Sequence, residues 1–155
     1  GAMHAGTIAG YPVVDVKVTL YDGSYHAVDS DELSFKTAAS LAYKKCLELA
    51  APALLEPVGD MDITVPDALV GDVMGDINGK RRGAVLGMEP SNERPGFTTI
   101  QAEVPKSEML DYTIVLRALT QGRGYFSFEF IRYDEVPSTI AQKLIDAYKA
   151  ENGDN

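Results

Sequence analysis

A β-α-β-β-α-β order of elements can be read over residues 60–133, and this predicts an α+β chain built on a ferredoxin-like sandwich. Two observations carry that reading. Apolar residues alternate at period two in three runs, with a short apolar run, Ala84 to Met88, as a fourth strand, and they recur at helical spacing in the segments between the first and second and between the third and fourth strands. A third observation concerns residues 11–58, which read as strand, helix and short strand, a partial βαβ-type α/β half-domain in front of the sandwich. A terminal helix follows it.

The elements are justified in order. In PVVDVKVTLY, Pro12 to Tyr21, Val14, Val16, Val18 and Leu20 alternate with Asp15, Lys17 and Thr19, the pattern of a half-buried strand. Asp22-Gly23 is turn chemistry. Asp29 with Glu32 three residues later reads as a capping box. The helix it opens runs to about Ala50, with a stripe of Phe35, Ala38, Ala42, Cys46 and Leu49. Pro52 and Pro57 end the helix and bracket a short extended piece. Met61, Ile63 and Val65 alternate as a strand. Pro66-Asp67 opens a helix whose inner stripe is Val70, Val73, Met74 and Ile77, stopped by Asn78-Gly79. Ala84 to Met88 and Phe97 to Val104 are strands on either side of a proline-bearing loop. A helix follows from Pro105 with Met109, Tyr112, Leu116 and Leu119 inward, and Gln121 to Gly124 breaks it. Tyr125 to Tyr133 is the last strand, with Phe126, Phe128 and Phe130 expected in the core. Pro137 opens the terminal helix to about Lys149.

The half-domain has too few elements to bury its own sheet face, so its remainder is expected upstream, with a boundary near Val58-Gly59. Residues 1–8 read as a cloning remnant and frayed start, and the last residues as a frayed tail. An uncovered half-domain face could pair between chains, by strand swapping or edge-to-edge.

Composition narrows the function classes. The 155 residues carry 14 Lys+Arg against 23 Asp+Glu, net charge −9. Such a chain repels nucleic acid at long range, so any contact with it must come from local basic clusters. One cysteine, Cys46, forms no internal disulfide, which makes a reducing, cytoplasmic setting the default. No run approaches the length of a membrane span. No GxxxxGK[ST] run cradles phosphates. His26 has no second histidine or cysteine at metal spacing and no nucleophile beside it, so neither a metal site nor a catalytic site is expected. The run Lys80-Arg81-Arg82 follows a helix C-terminus, which one cation would suit, but three in an acidic chain point to phosphate. Arg117, Gln121 and Arg123 bracket a second polar loop. Both loops are expected at one edge of the sheet, forming one RNA-facing surface. Changing Arg81 and Arg82 to Ala is expected to weaken that contact without altering stability. Asp72 and Asp76 read as a solvated helix face.

Four stretches carry a resemblance to a known family: AGYPVVDVKVTLYDGSYHAVDSDELSFKTAAS; LLEPV with GDVMGDINGKRRGAVLGMEP; AEVPKSEMLDY; and LRALTQGRGYFSFEFIRYDEVP. Together, from Ala9 to about Ile145, they resemble the last two domains of bacterial translation elongation factor G, the fourth stretch looking more like the elongation-factor-G-like paralogues. The resemblance implies that residues 9–58 are similar to the later part of domain IV and residues 59–135 to domain V, with residues 136–155 as terminal helix and tail. It implies a ribosome-binding piece of a translational GTPase that promotes tRNA–mRNA translocation. GTP and Mg would be bound by a domain that this sequence lacks, and the piece itself would hold no cofactor. The implied partners are large-subunit rRNA near the stalk base and sarcin–ricin loop, and the small-subunit decoding region with tRNA and mRNA. Asp22, Gly23, Ser24, Tyr25 and His26 would form the tip loop reaching the decoding region. Lys80, Arg81, Arg82, Arg117, Gln121 and Arg123 are the rRNA-contact candidates. This chain reads GDINGKRRG where the family reads about GDLNxRRG, an apparent one-residue insertion that displaces the basic pair. Two other readings stand beside this one: a ribosomal-protection type of translational GTPase, and a stand-alone ferredoxin-like binding module.

Overall fold

The computed structural model describes residues 6, 8–24 and 30–153. The chain forms two compact units, one of Gly1–Leu54 with Val136–Asn155 and the other Leu55–Glu135.

In the second unit, β1 (Leu55–Pro66) leads through a single 3-10 turn, Asp67–Leu69, into α2 (Val70–Lys80). Strands β2 (Ala84–Pro90) and β3 (Phe97–Pro105) follow. A second 3-10 turn, Lys106–Met109, then precedes α3 (Tyr112–Thr120) and β4 (Tyr125–Glu135). The four strands are ordered β2-β3-β1-β4 and every neighbouring pair is antiparallel. This is the expected α+β sandwich. The alternation in the sequence sorts the two faces. Met61, Ile63, Val65, Ile100, Ala102 and Val104 are buried with Val73 and Ile77 from α2 and Tyr112 and Leu116 from α3, while Phe126 and Phe128 pack against that cluster. Burying one such aliphatic side chain contributes about 1.5–3 kcal/mol. On the opposite face Asp60, Asp62, Gln101, Ser127 and Glu129 are exposed.

Three expectations are corrected here. Strand β1 starts at Leu55, not Asp60, and runs through Pro57. Residues Leu55 to Pro57 pair only with β4, since pairing to β3 begins at Val58. On that one-sided stretch a missing N–H is tolerated. Phe130 lies outside the core, 52% exposed and edge-on to Tyr133 at 5.2 Å between ring centroids. The regular β1–β4 register sets it opposite Gly59, past the stretch of β1 that holds the core residues, and the ladder shifts only beyond that pair, between Gly59 and Val58. At Gly59 a Cβ would come within 2.3 Å of Phe128 Cζ, so the ring occupies the space that only glycine leaves. Finally, both helices of the sandwich begin in a 3-10 turn rather than directly after the proline.

The first unit departs further from expectation. Its helix α1 (Glu32–Leu49) is capped by Asp31, whose carboxylate accepts from Ser34 N at 2.6 Å. Asp29, the expected cap, lies outside the described residues. The stripe Phe35, Ala38, Ala42, Cys46 and Leu49 is exposed for the most part; Leu47 is buried, with Ser40 and Tyr43 half-buried. Pro12 to Tyr21 forms no strand among the described residues, and Val14, Val16, Val18 and Leu20 are exposed. A strand exists only as a ladder, and among the described residues this segment has no ladder partner. Without a sheet, the helix has no apolar surface on which to lay its stripe. Helix α4 (Ser138–Asn152) completes this unit.

Candidate functional site: the two ends of the sandwich

The expectation that both basic loops share one edge is overturned by the topology. β1 runs from Val58, opposite Pro105, to Val65, opposite Thr98. The α2–β2 loop enters β2 at Ala84, opposite Glu103, so it lies at the end where β1 begins. The α3–β4 loop enters β4 at Tyr125, opposite Thr64, so it lies where β1 finishes. The strand rise puts roughly 20 Å between the two ends.

At the first end the basic run is absorbed into the fold. The side chain of Arg81 is 7% exposed. Its Nε donates to Asp76 Oδ2 at 2.6 Å, and its Nη1 donates to Asp111 Oδ1 at 2.9 Å and to the Glu108 carbonyl. The guanidinium carbon lies 4.7 Å from the centroid of the Tyr112 ring. Arg82 takes a left-handed backbone, φ 52°. That turns its guanidinium onto Glu56 in a two-pronged pair, 2.8 and 2.9 Å, and onto Glu108 at 2.9 Å. Bidentate geometry of this kind is the strong form of the Arg–carboxylate pair. Burial works against the charged form of Arg81, yet the hydrogen bonds with Asp111 and Asp76 outweigh it and raise its pKa. The Glu56 pair does the same for Arg82, with Glu108 adding to it. The hydrogen bond with Arg81 holds the Asp111 carboxyl below its ordinary value. Burial, with the Asp76 charge adding to it, pushes the Tyr112 phenol up. Lys80 alone of the run is exposed. The Arg81 side chain therefore has no surface to offer a phosphate, and the expectation that its loss leaves stability unaltered is reversed. Asp76, expected on a solvated face, is buried beneath Arg81.

The opposite end is built differently. Thr120 stops α3, its hydroxyl donating to Leu116 O at 2.7 Å and accepting from Gly124 N at 2.9 Å. Gln121 and Gly122 then take left-handed backbones, φ 53° and 76°, and Gly122 N donates to Arg117 O. Arg117 in the last turn of α3 and Gln121 and Arg123 in this turn are exposed, Arg123 Nε donating to the Thr120 carbonyl at 3.3 Å. Arg94, in the β2–β3 loop, was not among the candidates. It lies 4.2 Å from the Phe97 ring centroid and 6.0 Å from that of Tyr125, and donates from Nη1 to the Arg123 carbonyl at 3.4 Å. Its spacing before Phe97, a cation three residues ahead of a strand-opening aromatic, was the available signal. Among the described residues no carboxylate pairs with Arg94, Arg117 or Arg123.

Of the expected tip loop, Asp22, Gly23 and Ser24 are exposed, and Asp22 Oδ1 accepts from Gly23 N at 2.8 Å. Tyr25 and His26 lie outside the described residues. Among the described residues no helix is long and apolar enough to cross a membrane.

Comparison with known proteins converges on one family. Residues 1–51 match elongation factor G, domain IV, and residues 53–144 match the elongation factor G C-terminus. The chain is 50% identical over 150 residues to an elongation factor G-like protein of Thermotoga maritima, covering 97% of this chain and 22% of that protein. It is 51% identical over 144 residues to elongation factor G of Aquifex pyrophilus, covering 93% of this chain and 20% of that protein. A crystal structure of a Thermus thermophilus protein superposes with a TM-score of 0.78 at 43% identity, over 98% of this chain and 22% of that one. The chain thus spans about a fifth of the length of the relatives it matches. It belongs to the elongation factor G family and corresponds to that family's carboxy-terminal domains.

Proposed function

We propose that this chain is the ribosome-binding, carboxy-terminal part of a translational GTPase that promotes tRNA–mRNA translocation in the cytoplasm. Family membership supports the general role in translation. The segregation of arginines supports the contact: in an acidic chain, three guanidiniums that pair with no carboxylate among the described residues, all at one end of the sandwich, suit a phosphate backbone. In this reading Arg117, Gln121 and Arg123, joined by Arg94, meet large-subunit rRNA near the stalk base and sarcin–ricin loop. The Asp22–His26 loop reaches the tRNA and mRNA at the decoding region. These domains do no chemistry themselves. GTP and Mg belong to another domain of the longer protein, whose remaining domain IV residues would cover the apolar side chains exposed around Val14 to Leu20. Their work is differential binding, fitting one ribosomal state better than another and so shifting the population between them.

The test is co-sedimentation of the chain with ribosomes across a salt series. Arg117→Ala with Arg123→Ala is expected to weaken association and to reduce the salt slope by about one per cation removed. Association that is unchanged in this double variant overturns the assignment of this end.

A further inference from the structure

Beside the guanidiniums of Arg94 and Arg123, on the face of the sheet away from the helices, lies a cavity of about 270 Å³ whose lining includes Thr64, Glu89, Ser91, Glu93, Thr99 and Tyr125. We propose that it receives one unpaired, amino-bearing base of the RNA whose backbone the arginines engage. The proposal rests on the reading of that end as an RNA contact.

Size comes first. The volume lies just under the roughly 300 Å³ at which pockets for drug-sized ligands begin, which suits a single flat base. The wall chemistry comes second. Tyr125 is 43% exposed and offers a ring for stacking, which contributes to single-strand binding with any base. Thr64 Oγ1 and Thr99 Oγ1 are 3.0 Å apart, so one hydroxyl proton is committed between them and the other remains to be donated. Ser91 Oγ accepts from Arg94 N at 3.2 Å and keeps its own proton to donate. Glu89 and Glu93, when ionised, can only accept. They suit the exocyclic amino group of cytosine, adenine or guanine, as carboxylates do at cytosine N4, whereas they repel uracil's two carbonyls and leave it only its N3–H to donate.

Orientation follows from the same charges. The carboxylates repel phosphate, while Arg94, held on Phe97 and next to Tyr125, attracts it. A nucleotide therefore enters base first, its phosphate left at the arginine side. A base inside a duplex has its amino edge already paired, so the cavity selects loops and single strands.

The experiment is an NMR titration of the chain with short oligo-C, oligo-A and oligo-U and with an RNA duplex. Oligo-C and oligo-A are expected to shift the signals of Thr64, Thr99 and Tyr125 and to bind at least about fivefold more tightly than oligo-U. Tyr125→Ala should erase the pocket shifts and weaken all three strands. Glu89→Gln with Glu93→Gln should remove the preference for amino-bearing bases while leaving the salt dependence. Equal affinity for the three strands, or shifts confined to the loops of Arg94 and Arg123, would overturn the base pocket and leave the RNA-facing end standing. No binding to any RNA would overturn both.

Discussion

The two ends of the four-stranded sandwich treat the same residue type in opposite ways. Arg81, Arg82 and Arg132 lie toward the end where β1 begins, and each is held by carboxylates: Asp76 and Asp111, Glu56 and Glu108, Glu103 and Asp134. Arg94, Arg117 and Arg123 lie at the other end, and among the described residues none is so held. A run of cations in a sequence thus says little about which charges reach a partner. What decides is the supply of acid brought alongside by the fold, and here six carboxylates collect at one end. An arginine that completes its hydrogen bonds internally stabilises the domain; one left without an anion is available to bind one.

The largest expected effect breaks the paired end. Arg81→Ala leaves Asp76 buried and uncompensated, which costs about 3–5 kcal/mol for a buried pair. Arg82→Ala removes a partly exposed pair and should cost less, on the order of 1–2 kcal/mol. Chemical denaturation of both variants checks the ranking, and a ranking reversed, or no loss from either, would show that the network is not structural. Replacing Arg81 and Asp76 together by leucines should recover much of the loss, because no unpaired charge remains.

A smaller effect should appear with acid. Hydrogen bonds from Arg81 and Arg132 hold the carboxyls of Asp111 and Glu103 below their ordinary values of 3.8 and 4.5. As pH falls through those values the unfolded chain takes up the protons first. The stability from these pairs is therefore complete above about pH 4.5 and is lost as pH drops through the lowered folded values. Thermal melts from about pH 6 to about pH 2.5 should show a decline that Asp111→Asn and Glu103→Gln each flatten. An identical decline in both variants would assign the acid sensitivity to other groups.

The smallest stability effect belongs to the free end. Arg94→Ala, Arg117→Ala and Arg123→Ala should each change unfolding free energy by less than about 0.5 kcal/mol, even where they weaken binding. A substantial loss in any of them would erase the distinction between the two ends.

The architecture of residues 55–135 was legible in the sequence because its determinants are local. Met61, Ile63 and Val65 alternate within one strand, and Val73 and Ile77 recur within one helix, so each element declares its buried face before it meets a neighbour. Antiparallel order and short connections then leave few ways to assemble them. The same logic failed in the first unit. The alternation of Val14 to Leu20 is as clear as that of Met61 to Val65, but a strand is completed by hydrogen bonds to another strand, and no residue within Pro12 to Tyr21 can supply those.

The fate of the arginines was out of reach of any local pattern. Arg81 meets Asp111, and Arg82 meets Glu56 and Glu108, across 26 to 30 residues of chain. Lys80-Arg81-Arg82 reads as three equal charges until the fold brings β1 and the start of α3 alongside the last two. Which end of the sheet carries each loop was equally a matter of strand direction, decided only when β1 paired antiparallel to both of its neighbours. Periodicity is written in adjacent residues, whereas electrostatic pairing depends on distances that exist only in the folded chain.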